Sequence, residues 1–429
     1  MAEHVYSSSL KEGRKCSVRG WVWQVRDIGK LVFFILRDRE GEVQVTLKKG
    51  VVDERLLETA RKLDREDCVI VSGKAVKSPS NKLEIVPDKI TIVNKSEKPL
   101  PFETKEQIET GADIRLDYRF MDLRDQKVLN HFKVKSRVLN AIRNRFHENG
   151  YFEVNTPVIQ AAGAEGGATL FGLSYYGRPA FIRQSPQLYK QMLMAGGMDR
   201  IFEIGPSFRA EKFHTRRHVS EFLMLDMEMA WIDSEENIMK EVEKLMHDVL
   251  SEAKNTCKTE LETLGQKLVV PEMPFKRLKY DEAISMLEKK GVRVEDGADL
   301  GDSEEKILGE LMAAKGSEWF FITKYPEAIK PFYIMADGRD SRGIDLSNRG
   351  MEIASGGQRE HRYDELVKRL KEKGLNPEDF SFYINAFRYG MPPHGGIGLG
   401  IDRLVQQITR AANIKDVILF PRTPERLVP

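Results

Sequence analysis

Alternation of apolar and polar positions predicts a small β-rich domain at the start of the chain. Between residues 16 and 47, β-branched and aromatic runs are interrupted at the sequences DIGK and REGE, as expected for antiparallel strands joined by tight turns. Further strand-like runs follow at 68–76 and 83–93, and residues 52–63 have the charge and spacing of a short helix. This content predicts an all-β OB-fold barrel, a fold that commonly binds nucleic acids or oligosaccharides.

The pattern changes in the remainder of the chain. Apolar residues recur every four positions from Val134 to Phe146 and predict an amphipathic helix that ends at Gly150. Short apolar runs, among them 222–231 and 332–335, then read as strands that alternate irregularly with helices. Because no regular βαβ winding is visible, we expect an α+β domain built on an antiparallel sheet.

Length and composition fit a multi-domain enzyme without a membrane partner. We divide the 429 residues into a barrel at 1–103, a hinge at 104–130 and a catalytic domain at 131–429. No apolar run approaches the roughly 18 residues that span a bilayer, and the N-terminus lacks the apolar stretch of a signal peptide, so we expect a cytoplasmic protein. The 68 basic and 66 acidic residues nearly cancel. The three cysteines lie far apart, which argues against a structural zinc site and fits a reducing compartment.

Three polar clusters in the second domain carry the candidate chemistry. The first lies in residues 201–231, where two strand-like arms flank a charged loop. Its donors suit a polyphosphate, although a merely solvated loop is the alternative. The charged residues of this loop are Arg209, Glu211, His214, Arg216, Arg217 and His218.

The other two clusters are rich in glycine. In residues 350–364, Glu352 alternates with apolar residues on a predicted strand, so its carboxylate points off the core face, where it can hold a hard cation. Residues 394–405 form a Gly-rich turn that leads into an apolar helix carrying Arg403. Glycine allows backbone to approach a ligand closely, but the strand and acidic residue of a dinucleotide site are missing here.

Together the clusters resemble the three signature motifs of the class II aminoacyl-tRNA synthetases. The sequence NTPVI around Pro157 is similar to the first, dimer-forming motif, FRAEKFHTRRHVSEF to the second and GIGLGIDRLV to the third. The order of OB-fold, hinge and catalytic domain resembles the aspartyl, asparaginyl and lysyl subgroup. The compact chain is most similar to the archaeal-type aspartyl members.

The resemblance implies an ATP site and a Mg²⁺ site. Arg209, Glu352 and Arg403 would be the catalytic residues, and Glu352 and Ser355 would hold the metal, with Asp345 as a candidate further ligand. The residues implied to bind ATP are Arg209, Ala210, Glu211, Arg217, His218, Val219, Glu352, Gly400, Ile401, Asp402 and Arg403.

The choice of amino acid is argued from charge, because a pocket for a side-chain carboxylate needs fixed cations. Lys190 and Arg359 match the positions that grip the β-carboxylate in the aspartyl subgroup. A neutral amide would leave them partly unpaired, at about 1–3 kcal/mol; the alternative for Lys190 is an exposed helix face. The residues implied to bind aspartate are Glu165, Gln187, Lys190, Arg209, Ser355 and Arg359, with Asp226 nearby.

The barrel offers candidate anticodon contacts. On the predicted strand 31–37, alternation puts Phe33 and Phe34 on opposite faces. The resemblance selects Phe33 to stack on an anticodon base, with core packing as the alternative. It also places Trp23 and Lys82 where members that reject tRNA(Asn) tend to have them. The full set implied by the resemblance is Trp23, Arg26, Phe33, Gln44 and Lys82.

We therefore expect a homodimeric enzyme that activates L-aspartate with ATP and loads it onto tRNA(Asp), rejecting tRNA(Asn). An asparaginyl enzyme of the same fold and an aspartyl enzyme that accepts both tRNAs are the alternatives. An amide-forming asparagine synthetase is disfavoured by the barrel. A nucleic-acid-binding protein with an inactive synthetase domain is disfavoured because Arg209, Glu352 and Arg403 are all present.

Overall fold

The computed structural model describes residues 3–102, 110–161, 163, 169–211, 215–295 and 297–429. Contacts divide the chain into two compact units, Met1–Asn130 and His131–Pro429.

The first unit is built around a closed five-stranded barrel, which confirms the predicted OB-fold. The strands neighbour one another in the order β1-β2-β3-β5-β4, and a helix connects β3 to β4. Its elements are β1 (Lys15–Asp27), β2 (Leu31–Asp38), β3 (Gly41–Lys48), α1 (Glu54–Arg61), β4 (Cys68–Lys77) and β5 (Leu83–Asn94).

Alternation along the strands fills this barrel. Val32, Phe34 and Leu36 of β2 point inward and are fully buried, whereas Phe33 and Ile35 point outward and are half-buried. The separation into two faces follows from the alternation of side chains along a strand, whereas the choice of the inward face depends on the fold. Closure of the sheet leaves no free edge in the barrel.

The stretch expected to be a hinge contains packed helices. The structure has α2 (Ala112–Asp117) and α3 (Arg119–Asp122) here, followed by the start of α4 (Gln126–Glu148). Arg119 is buried and its Nη1 donates to Asp122 Oδ2 over 2.7 Å, while Arg115 Nε donates to Asp122 Oδ1 over 2.7 Å. Polar residues can be packed in this way because each buried charge has a partner.

The second unit is an α+β domain on an eight-stranded sheet, as predicted. The strand order is β12-β13-β16-β17-β18-β11-β10-β6; the pairs β12–β13 and β10–β6 are parallel, and the others are antiparallel. Its strands are β6 (Phe152–Glu153), β7 (Ile159–Gln160), β8 (Phe171–Tyr175), β9 (Arg178–Ile182), β10 (Arg200–Phe208), β11 (Glu221–Ala230), β12 (Lys276–Lys279), β13 (Trp319–Thr323), β14 (Ala336–Asp337), β15 (Asp340–Ser341), β16 (Gly343–Asn348), β17 (Met351–Gln358) and β18 (His394–Gly400).

Helices pack around this sheet. The predicted amphipathic helix lies in α4, in the part of that helix that belongs to the second unit. Val138, Ile142 and Phe146 of α4 share one apolar core with Leu225 of β11 and Leu404 of the last helix. The remaining helices are α5 (Gln187–Ala195), α6 (Glu235–Thr256), α7 (Lys258–Thr263), α8 (Tyr280–Glu288), α9 (Asp302–Ala313), α10 (Tyr363–Glu372), α11 (Ser381–Arg388) and α12 (Ile401–Thr409).

One predicted strand is wrong. Residues 332–335 form a turn, in which Ile334 N donates to Pro331 O, and only a single bridge joins Ile334 to Arg359. Phe332, Tyr333 and Ile334 are buried in a satellite cluster with α10 and α11, so their apolar character reflects burial rather than strand formation. Short apolar runs do not distinguish the two cases.

Candidate active site

The central strands of the second unit form the floor of a deep cavity of about 320 Å³. Strands β11, β17 and β18, the start of α12 and the loop after β10 all contribute to its wall. A cleft with converging polar groups is the usual form of a small-molecule site. The predicted site residues that line it are Gln187, Arg209, Glu211, Arg217, His218, Val219, Glu352, Ser355, Arg359, Gly400, Asp402 and Arg403.

Ala210 and Ile401, which the resemblance implies to bind ATP, are not among the residues that line the cavity. The side chain of Ile401 is buried in the main core. Ala210 is not part of the cavity lining, and its backbone N–H donates to Thr169 O. Asp402 reaches the cavity but binds Lys135 Nζ over 2.5 Å and Leu223 N over 2.8 Å, so its carboxylate ties α12 to α4 and β11. Glu165 and His214 lie outside the described residues.

One end of the cavity is built on a buried carboxylate, Glu228. Arg359 holds it with Nε and Nη2, at 2.9 and 3.2 Å, and Lys190 Nζ lies 3.2 Å from Oε2. Lys190 also donates to Asp226 Oδ1 over 3.0 Å and to Ile397 O over 3.1 Å. Lys190 therefore lies beneath the cavity floor. Its neighbours in this network of ion pairs, Asp226 and Arg359, line the cavity themselves.

Burial acts differently on the two carboxylates of this cluster. Burial raises the pKa of Asp226 above its ordinary value, and Lys190 offsets this only in part. Burial also acts to raise the pKa of Glu228, but Arg359 and Lys190 outweigh it and leave that pKa below its usual range. Ion pairing therefore favours the charged form of Glu228, whereas burial favours the neutral form of Asp226.

Behind this cluster, amide side chains fix the orientation of Gln187. Its Nε2 donates to Gln191 Oε1 over 2.8 Å, and Tyr383 Oη donates to the same oxygen over 3.0 Å. His394 Nδ1 lies 2.8 Å from Pro392 O, which can only accept, so Nδ1 carries the proton and Nε2 accepts from Gln191 Nε2 over 2.9 Å. Burial lowers the pKa of His394 to about 4, so its ring is neutral near pH 7.

The other end of the cavity carries arginines. Arg403 Nη1 donates to Glu352 O over 2.9 Å, and its Nη2 lies 3.1 Å from His218 Nε2. Burial, followed by the charge of Arg403, lowers the pKa of His218 to about 4. A neutral ring accepts from Arg403 through Nε2 and donates through Nδ1 to Thr215 Oγ1 over 2.8 Å. Arg209 lines the same wall, with its guanidinium 5.6 Å from the Phe222 ring centroid.

Oxygen donors for a metal gather on β16 and β17. Asp345 and Ser355 are directly paired across these strands, and Glu352 lies on the same strand as Ser355. Asp345 Oδ2 accepts from Lys330 Nζ over 2.7 Å, but within the part of the chain that the structure describes its buried Oδ1 has no hydrogen-bond partner. Burial, and then the charge of Asp345, raise the pKa of Glu352. A cation here would relieve repulsion between the carboxylates and occupy the unpaired oxygen.

This donor set fits a magnesium ion that shares its ligands with a nucleotide. Within the described residues, no three His, Cys, Asp or Glu side chains form a self-contained metal centre. Mg²⁺ typically takes one or two carboxylates and completes its shell with waters and substrate phosphates. Glu352, Ser355 and Asp345 provide such a partial shell.

Sequence reasoning missed several residues that hold the site together. Glu228 was detectable, because it follows Asp226 by two positions on a strand and so must share its face. Gln191 lies one helical turn after Gln187, which was also readable. Lys330 and Glu305 had no local signal, because their partners are distant in sequence.

The predicted anticodon residues lie on the outer surface of the barrel. Phe33 pairs with Arg26 on β1 and is half-buried, while Arg26 is exposed. Gln44 Nε2 donates to Glu84 Oε2 over 2.9 Å. Lys82 is exposed in the turn before β5.

Trp23 is held by two arginines of the barrel. The guanidinium carbon of Arg37 lies 3.2 Å from the centroid of the Trp23 ring, and that of Arg65 lies 4.7 Å away. Cation–π contacts of this kind orient an aromatic ring that remains partly accessible.

Comparison with known proteins assigns both units. A family model described as "tRNA synthetases class II (D, K and N)" matches residues 111–424, and one described as "OB-fold nucleic acid binding domain" matches residues 16–93. In the described part of the chain, no helix has both the length and the apolar content to cross a bilayer.

Full-length relatives agree with this assignment. The chain is 46% identical to a Thermococcus kodakarensis protein named Aspartate--tRNA(Asp) ligase, over 99% of each chain. It is 45% identical to a Methanococcus aeolicus protein named Aspartate--tRNA(Asp/Asn) ligase, over 99% of this chain and 98% of the relative. A solved asparaginyl-tRNA synthetase from Pyrococcus horikoshii, complexed with asparaginyl-adenylate, superposes with a TM-score of 0.94 at 38% identity, covering 100% of each chain. The chain belongs to the class II tRNA synthetases of the aspartate, lysine and asparagine group.

Proposed function

We propose that the protein joins L-aspartate to tRNA(Asp), with ATP as co-substrate and aspartyl-adenylate as the intermediate. The observation that carries this proposal is the convergence of Lys190 and Arg359 on Glu228, beside Asp226, at one end of the cavity. Arg359 lines the cavity and can pair with a side-chain carboxylate bound there, while Lys190 holds Asp226 and Glu228 from beneath. Asp226 can accept from the α-ammonium group. The neutral amide of asparagine would pair less well with Arg359 than a carboxylate does.

Activation requires alignment and charge stabilisation rather than an acid–base residue. The α-carboxylate of aspartate attacks the α-phosphorus of ATP, an anhydride bond forms, and pyrophosphate leaves. We assign the neutralisation of phosphate charge to Arg209 and Arg403 on the cavity wall. In the second step, a terminal ribose hydroxyl of the tRNA attacks the adenylate carbonyl and AMP leaves.

We assign a Mg²⁺ site to Glu352 and Ser355, with Asp345 as a further ligand. Their oxygens, including the unpaired Asp345 Oδ1, support this assignment. Bound Mg²⁺ would neutralise and orient phosphate oxygens of the nucleotide. Glu352, Arg209 and Arg403 are then the catalytic residues.

We assign anticodon recognition to the outer face of the barrel. We also propose that the enzyme acts on tRNA in the cytoplasm. Phe33 is the stacking residue of this proposal, with Arg26 and Gln44 as polar contacts. Trp23 and Lys82 are assigned to the rejection of tRNA(Asn). The relatives named above include both tRNA(Asp) and tRNA(Asp/Asn) ligases, so charging of purified tRNA(Asn) is the test, and efficient aspartylation would contradict the assignment.

We also propose a homodimer that associates through the segment around Pro157. Apolar side chains are exposed on both sides of it, including Phe152 at 56% and Ile159 at 47%. Light scattering on the purified protein should give twice the chain mass. A monomer for the wild-type protein would refute this part of the proposal.

The decisive experiment is pyrophosphate exchange with one amino acid at a time. Aspartate should support ATP-dependent exchange, and asparagine should be at least about a hundredfold poorer, as expected for a desolvated, positively charged site that meets a neutral amide. Efficient exchange with asparagine alone would establish the asparaginyl alternative, to which the Pyrococcus horikoshii structure is similar. Exchange with neither would refute both.

A further inference from the structure

Helix α9 contacts the nucleotide end of the cavity through its first turn. Arg217, which lines the cavity, lies against this turn and is almost fully buried. Its Nη1 donates to Glu305 Oε2 over 2.6 Å, and its Nη2 is paired with Asp302. Both terminal nitrogens of this arginine are therefore held by carboxylates of one helix.

Glu305 has a second contact that links it to the proposed metal strand. The oxygen that accepts from Arg217, Oε2, also accepts from the backbone N–H of Glu352 over 3.2 Å. One carboxylate oxygen thus connects α9, the segment carrying Arg217 and strand β17. These elements are distant in sequence, so Glu305 fixes where two of them lie relative to each other.

The Nε donor of Arg217 differs from its two terminal nitrogens. Its Nε is buried and has no hydrogen-bond partner among the described residues, although the terminal nitrogens on the same planar group are both paired. A buried donor without a partner usually signals a ligand or water that satisfies it. Since Arg217 lines the cavity, an anionic oxygen there could accept from Nε without breaking either ion pair.

We propose that Glu305 is a positioning residue for nucleotide binding, which holds Arg217 so that its Nε donates to a phosphate oxygen of ATP. This inference rests on the proposed function for the identity of the nucleotide. The geometry also allows the opposite relation, in which Glu305 competes with phosphate for Arg217. The two relations differ in sign, because removal of a competitor would tighten ATP binding.

The test measures ATP binding by calorimetry without amino acid, together with the KM values in pyrophosphate exchange. Burial, and then the charge of Glu352, raise the pKa of Glu305 to about 7, so the measurements are made at pH 8, where its carboxylate is charged. Glu305→Gln then preserves shape but removes the charge that orients Arg217. We expect ATP affinity to fall about tenfold, the effect of one charge-assisted hydrogen bond, while the KM for aspartate changes less than about twofold. Glu310→Gln, an exposed glutamate on the same helix, is the matched control and should leave both values unchanged.

A double-variant cycle separates positioning from general structural support. If Glu305 acts through Arg217, Arg217→Gln combined with Glu305→Gln should bind ATP no more weakly than Arg217→Gln alone. Tighter ATP binding by Glu305→Gln, independent losses in the double variant, or equal losses for ATP and aspartate would each overturn the proposal. Failure of the wild-type protein to exchange with aspartate would instead refute the proposed function, while the cycle is still read from ATP binding alone.

Discussion

The two ends of the cavity are prepared for their ligands in opposite ways. Around Glu228, two cations and two carboxylates are already matched to one another, and the amides of Gln187 and Gln191 are hydrogen-bonded behind them. At the nucleotide end, Arg217 Nε and Asp345 Oδ1 are buried, and no described residue forms a hydrogen bond with either atom. The charged groups at the amino acid end are therefore paired and positioned before the amino acid binds. Those at the nucleotide end are fully paired only when a ligand supplies further charged groups.

The strongest test of this contrast is Lys190→Leu. Removing the ammonium leaves Asp226 and Glu228 with one cation between them, and breaking a buried pair costs about 3–5 kcal/mol. Aspartate-dependent pyrophosphate exchange should fall at least about a hundredfold, while ATP affinity changes less than about twofold.

The control for that variant is Lys368→Leu, which removes an exposed lysine of α10 that is paired with Glu372 on the surface. It should exchange like the wild-type protein. If Lys190→Leu exchanged aspartate like the wild-type protein, Lys190 would not contribute to amino acid specificity. The contrast between the two ends of the cavity would then not hold.

A pH experiment examines the amino acid end of the cavity. The pKa of His394 is about 4 in the folded protein and near 6.5 when the chain is unfolded, so the unfolded state binds the extra proton first as the pH falls. Stability contributed by the neutral ring is therefore present above pH 6.5 and is lost as the pH falls towards 4. Between pH 7 and pH 5 the loss should be about 2 kcal/mol.

Denaturant unfolding of wild-type protein and His394→Asn at the two pH values measures this contribution. The variant lacks the titrating ring, so its stability should fall by about 2 kcal/mol less over the same range. Parallel pH dependence in the two proteins would show that His394 is not buried in the neutral form.

The smallest expected effect concerns the nucleotide end of the cavity. Glu352→Gln removes one of two carboxylates from the proposed Mg²⁺ site, and with it one charged ligand. The Mg²⁺ concentration that half-saturates pyrophosphate exchange should rise about tenfold. Direct Mn²⁺ titration in the presence of ATP should show the same weakening, and an unchanged metal dependence would place the ion elsewhere.

Local patterns were enough to predict the barrel and the main cavity residues. Alternation predicted that Phe33 and Phe34 lie on opposite faces of their strand, and the structure confirms this, with Phe34 inside the barrel; that Phe33 faces outward was implied by the family resemblance. Arg209, Glu352 and Arg403 were singled out from three separate segments, and they line one cavity. Their roles in catalysis remain predictions.

What the sequence did not reveal depends on distant contacts or on burial. Glu305 reads as one of several acids at the start of a helix, and only the fold brings it to Arg217, 88 positions away. The run at 332–335 looked like a strand because burial and strand formation select the same apolar residues. Ile401 belonged to a matching motif, yet its side chain serves the core.

The shared carboxylate Glu228 limits how this pocket can be redesigned. Lys190 and Arg359 both rely on it, so replacing either cation leaves a surplus negative charge where water cannot reach. A variant intended for an uncharged amino acid would therefore have to exchange a cation and an anion together, and single substitutions should yield weakened enzymes rather than new specificities.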